Sequence, residues 1–208
     1  MVNEVFLDNL GFVSNILSLI FIPVSTIILG YKLVKERKST GEYNIVRLIV
    51  FSTFLTFSLN EIIGFIVDFI PSWEKMWGAT FGISNFFIGL MVTFGLTLIC
   101  YINRWEALYY SAIFFYSGMT IFYLLTGYDE GLAYFTNIAG AIDILFLYFT
   151  GLRVKDNGAL GLAVFFSLAF STLFIEDPLT ARIIIFGYIA FIVYFSLGFF
   201  KPLKQEAS

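Results

Sequence analysis

Seven apolar runs, each close to the length that crosses a bilayer, follow one another along this chain. They are Asp8–Lys32, Ile45–Ile70, Thr80–Ile102, Ala107–Thr126, Gly131–Thr150, Gly158–Ile175 and Ala181–Phe200. At 1.5 Å per residue, about 20 residues of helix span a hydrocarbon layer of about 30 Å. In lipid every backbone polar group must be satisfied within a helix or a closed barrel, and barrel strands alternate in segments of about 10 residues. These runs are continuous, so the sequence predicts an all-α polytopic membrane protein. It is read as a bundle of seven transmembrane helices, with residues 1–208 as a single domain and the lipid bilayer as its solvent. The sixth run is the shortest, and a re-entrant reading of it stays open. Composition agrees, with 59% hydrophobic and only 13% charged residues, where soluble domains carry about 25% charged.

The joining segments (KERKSTGEYN, PSWEKMWG, NRWE, GYDEG, GLRVKDN and EDPLTA) are too short to fold alone. Their basic residues set an expected orientation. Lys32, Lys35, Arg37, Lys38, Arg47, Arg104, Arg153, Lys155, Lys201 and Lys204 fall on one side, ten in all, against only Lys75 and Arg182 on the other. The expectation is an N-terminus outside, a cytoplasmic C-terminus and residence in the plasma membrane. The opening MVNEVFLDNL lacks the basic stretch of a signal peptide, so the first run is read as a retained helix.

Several function classes fall away. A net charge of −3 carries no nucleic-acid signature. The chain has no histidine, which removes His-ligated haem, His-bound zinc and a Ser–His nucleophile. One cysteine, Cys100, allows no intramolecular disulfide. No cofactor and no metal site are expected, and an enzyme working on lipid through two buried acids is the least supported option.

The informative residues are polar ones at depth. Within Ile45–Phe69 stand Asn60 and Glu61, and an ionisable group there costs about 2.5–3.5 kcal/mol on insertion scales, so it reads as functional by default. Asp143, like Glu61, falls near its helix midpoint. Asn15, Asn60, Asn85 and Asn137 all lie on the outer side of theirs. Each asparagine alone is ordinary interhelical glue, worth about 0.6–2 kcal/mol; four at one depth suggest a polar pocket between helices 1, 2, 3 and 5, open to the outside. The faces agree in part: Thr53, Thr56, Asn60 and Gly64 share a stripe, with Ser58, Glu61 and Asp68 adjoining. Asn85, Gly89, Thr93 and Thr97 form another, and Thr136, Gly140, Asp143 and Thr150 a third. Small and hydroxylated stripes also serve plain helix packing.

No lysine or arginine lies deep in a span opposite Glu61 or Asp143. An unpaired carboxyl group there either binds a proton or holds a cation, and a neutral acid donating to a neighbouring asparagine fits equally well. Tyr109, Tyr116 and Tyr123 recur at seven-residue spacing; Tyr116 could stack on a ligand, although such stripes usually pack or mark the interfaces. Trp73, Trp77 and Trp105 read as interfacial anchors. The expected site is therefore Asn15, Asn60, Asn85, Asn137 and Tyr116 for ligand binding, with Glu61 and Asp143 for proton or cation coupling.

Pro23 is expected to kink the first helix. A weak internal echo links Asn15 and Gly30–Glu36 with Asn137 and Gly151–Asp156, as a three-plus-one-plus-three duplication would. Rhodopsins also have seven helices, but their Schiff base needs a lysine in the last span, and Ala181–Phe200 has none. Intramembrane aspartyl proteases need two catalytic aspartates, and GAIDIL around Asp143 lacks their glycine pattern. Asn15, Pro23 and the KSTGEY that follows (Lys38–Tyr43) resemble the first repeat of SWEET-type sugar carriers. Those carriers also have seven helices, an outside N-terminus and a three-plus-one-plus-three layout. The resemblance covers Asn15–Tyr43 alone: helix 5 has no matching proline, and the proline–glutamine pair of related transporters reads Pro23–Val24. It implies transport without assigning the family. The expected function is thus a carrier or permease for a small-molecule solute. The alternative is a seven-helix sensor or receptor that signals through a cytoplasmic protein partner docked on Lys35–Lys38 and Arg153–Lys155.

Overall fold

Every apolar run contains a helix, and no strand occurs among the described residues. The computed structural model describes residues 4–70, 83–128, 130–172 and 174–198, with side chains except at 4, 5, 68, 69 and 83–85. The helices are α1 (Glu4–Thr40), α2 (Ile45–Phe69), α3 (Ile83–Ile102), α4 (Ser111–Thr126), α5 (Glu130–Val154), α6 (Asn157–Ser171) and α7 (Pro178–Leu197). A 3-10 turn, Glu106–Leu108, leads into α4. Five of them, α1, α2, α4 with the turn before it, α5 and α7, are long and apolar enough to cross a membrane. Helix α6 has 15 residues, about 22 Å of rise, short of a full crossing. Trp73, Trp77, Lys75, Lys201, Lys204 and the side chains of Asp68 and Asn85 lie outside the described residues.

Local chemistry sets the helix ends. Asn44 accepts from the Arg47 N–H at 3.2 Å, Asp156 from the N–H of Gly158 and Ala159 at 2.6 and 3.2 Å, and Asp177 from the Thr180 N–H at 2.9 Å. Each side-chain oxygen thereby satisfies donors that the first helical turn leaves open. The helices that finish at the lysine- and arginine-rich end run into left-handed residues: Gly41 after α1, Arg104 after α3, Lys155 after α5 and Gly198 after α7. That conformation closes the last carbonyls of a helix. Helix α1 continues unbroken through Pro23.

Six helices pack in a ring of order α1, α2, α3, α5, α6, α7 and back to α1, and α4 lies outside it against α3 and α5. The halves α1–α3 and α5–α7 have the same internal order, each first helix beside the other half's last. A duplicated three-helix unit joined by one extra helix produces this arrangement. The glycines of the internal echo hold matching places. A side chain at Gly30 would press on Phe51 of α2, and one at Gly151 on Leu160 of α6.

The bundle is apolar outside and partly polar inside. Leu125, Phe114 and Ile27 are 81%, 75% and 69% exposed, while Ser14, Ser18, Thr53, Thr93, Thr97, Thr136 and Thr150 are buried. Lipid makes the outward apolar surface inexpensive, so close packing holds the helices together. Phe54 of α2 sits at the centre, with ring centroids 5.3 Å from Phe165 of α6 and 5.4 Å from Phe195 of α7. The hydroxyls mostly return to their own helices: Thr53 donates to the Ile49 carbonyl, Thr93 to Gly89, Thr97 to Thr93 and Thr136 to Leu132, all at 2.7–3.0 Å. Those threonine stripes are packing surfaces. Thr26 also reaches across, donating to the Phe54 carbonyl of α2 at 3.2 Å.

Candidate functional site

A cavity of about 190 Å³ lies inside the ring, in the half of the bundle away from the basic end. Its first wall comes from Phe57, Asn60 and Glu61 of α2 and Ile88, Met91 and Val92 of α3. The facing wall comes from Gly140 and Ile144 of α5, Phe166, Ala169 and Phe170 of α6, Thr172 just beyond α6, and Tyr188 of α7. Both halves of the ring therefore meet at this space. The chemistry is uneven: a largely apolar and aromatic enclosure holds one carboxyl group, one carboxamide and two hydroxyls. The Thr172 hydroxyl already donates to the Ala169 carbonyl at 2.7 Å. Ser18 of α1 lies close enough to interact with both Glu61 and the Tyr188 hydroxyl. Its hydroxyl donates to the Ser14 carbonyl at 2.8 Å.

Asn60 and Glu61 are the two expected site residues that line this space. Asp143 stands behind it, one residue from Ile144, sealed between α3 and α5 with no solvent exposure. Neither of its carboxyl oxygens has a hydrogen-bond partner. Gly95 of α3 makes the room: a Cβ there would collide with the Asp143 carboxyl group. A carboxyl group in such surroundings needs a proton or a cation as its partner. Further along the same seam, Asn103 donates to Thr150 Oγ1 and to the Ile99 carbonyl, both at 2.9 Å, while its own Oδ1 stays unpartnered.

The remaining expected residues lie elsewhere. Asn15 is exposed at the end of the bundle opposite the lysine- and arginine-rich one, where it accepts from Arg182 of α7 at 3.2 Å. Ser14 Oγ shares the same guanidinium at 3.4 Å, and Gly11 leaves space for it. This group clasps α1 to α7. Asn137 is exposed on the outer surface of α5. Tyr116 is buried against Gly89, where a side chain would strike its ring, and its hydroxyl donates to the Phe86 carbonyl at 2.6 Å. It locks α4 to α3. The Asn85 side chain lies outside the described residues.

No known protein family, curated protein or solved structure matches this chain. The site therefore rests on its own geometry. Sequence reasoning expected walls from helices 1, 2, 3 and 5, whereas α6, the Thr172 that follows it and α7 supply five lining residues that it did not select. Phe166, Ala169, Phe170 and Tyr188 carry no signal that separates a cavity wall from ordinary packing. Thr172 carries only a weak one, as a hydroxyl at the end of the shortest run.

Proposed function

We propose that this chain is a membrane carrier for a small solute, with the cavity between its two halves as the binding site. The observation that carries the reading is the double ownership of the cavity. Asn60, Glu61 and Ile88 come from one half; Gly140, Phe166 and Tyr188 come from the other. A site at the junction of two repeats changes its exposure when one repeat rocks against the other. In this reading all seven helices lie across the membrane, the basic end is cytoplasmic and the cavity belongs to the outer half.

The Asn60 carboxamide hydrogen-bonds the solute. Glu61 meets solute and coupling ion in one place. Asp143 is the second acid, set behind the wall, and serves as the proton or cation relay between α3 and α5. The test is solute-dependent thermal stabilisation of the purified chain, with Glu61→Gln alongside. The carrier reading expects a stabilising solute whose effect is lost in the variant. Stabilisation of equal size in both proteins would remove Glu61 from the site.

A further inference from the structure

We infer that the solute taken by this cavity is a small organic cation, a protonated amine on an apolar or aromatic body. The inference rests on the reading of the cavity as a solute site and names its chemical class. Three observations carry it.

Charge is the first. Glu61 is the one carboxyl group among the described lining residues, and no lysine or arginine stands with it. Arg182, on the helix that carries Tyr188, is near enough for its charge to reach that tyrosine, but it hydrogen-bonds Asn15 and Ser14 and does not line the cavity. Asp143, behind the α5 wall, adds a second acid and no base. An anionic solute would meet no counter-charge among the described lining residues, whereas an ammonium group would pair with Glu61 through a charge-assisted hydrogen bond.

The second is the aromatic enclosure. Phe57, Phe166, Phe170 and Tyr188 border the same space, and Phe57 and Tyr188 meet edge to face at 5.6 Å. Ring faces attract a desolvated cation, and the same rings shelter an apolar body. Third is the shortage of polar groups. A sugar needs a donor or acceptor for each hydroxyl, but among the described lining residues only Asn60, Glu61, Tyr188 and the already engaged Thr172 offer one. A sugar is therefore a poor match. At about 190 Å³, below the ~300–1,000 Å³ of drug-sized sites, the cavity suits a fragment-sized amine.

The experiment is titration calorimetry on the purified full chain with phenethylamine, its neutral isostere 2-phenylethanol, and phenylacetate. The expected result is amine binding about tenfold or more tighter than the alcohol, with no detectable phenylacetate binding. In Glu61→Gln the amine falls to within about twofold of the alcohol, as loss of a charge-assisted contact requires. Alcohol binding as tight as the amine in the native chain would overturn the cation class while leaving the solute site standing. Amine binding that persists when Ala169→Trp fills the cavity would overturn the site itself, with Ala169→Leu in its place if the tryptophan variant does not fold. Failure of all three probes to bind the native chain would also overturn the proposal.

Discussion

Asp143 shows how far a single residue can be read. Its depth in the run is plain from sequence, and so is the absence of a deep basic partner. Its seat against Gly95 is not, because nothing in a glycine marks which neighbour needs its missing side chain. That contact gives a direct prediction. Gly95→Ala should destabilise the purified protein by about 1–3 kcal/mol, the usual cost of overpacking. In an Asp143→Ala background most of that cost should disappear, because the colliding carboxyl group is gone. Denaturation of the single and double variants checks it, and additive effects would mean the two sites are independent. Depth alone misleads elsewhere. Asn15 and Asn137 share a level with Asn60, yet both are exposed, because helices that are apolar all round do not reveal which azimuth faces inward. Tyr116 is deep and polar but already engaged by Phe86. Asn60 and Glu61, two adjacent polar groups inside one apolar run, do line the cavity.

Among the elements, the existence of each helix was readable and its ends less so. Asp8–Lys32 extends to Glu4–Thr40 in α1, and Gly131–Thr150 to Glu130–Val154 in α5. Hydropathy marks where a helix leaves lipid, whereas backbone hydrogen bonding and capping decide where it stops. Asp156 stops the chain between α5 and α6 by taking two N–H groups at the start of α6. Replacing it with alanine should cost about 1 kcal/mol, read as a lower unfolding midpoint. Lys155, one residue earlier, holds φ at 55°, a region that suits glycine. Lys155→Gly should stabilise the protein by about 1 kcal/mol, and a destabilised variant would show that the lysine side chain contributes more than its backbone strain costs.

The cap of α7 adds a pH dependence. Hydrogen bonds from the Thr180 hydroxyl and N–H hold the Asp177 carboxyl below the usual aspartate range. Its stabilising effect is then complete above the unfolded-state value, about 4, and fades as pH falls through the lower folded value. Between about pH 5 and pH 3 the native chain should therefore lose stability relative to Asp177→Asn. Parallel profiles would show that the cap does not titrate in this way.

At the scale of the whole molecule, class and helix number follow from hydropathy, but packing order does not. In lipid an apolar face offers little preference between a neighbouring helix and an acyl chain. The contribution of α6 and α7 to the cavity was therefore invisible in sequence, and only the weak internal echo pointed to a fourth helix set apart from the other six. The ring itself gives the repeat echo a physical meaning: two three-helix units enclose one space, and movement between them is movement of its walls.

The most direct test of that account is two-sided chemical labelling of the cavity. With the single native cysteine removed as Cys100→Ser, Ala169→Cys places one thiol on the cavity wall. A membrane-impermeant thiol reagent is then applied from either face of reconstituted vesicles. A carrier predicts that the introduced thiol reacts from both faces, each in turn as the halves rock. Reaction from one face alone, under every solute and ion condition, would contradict alternating access and leave a receptor-like site in its place.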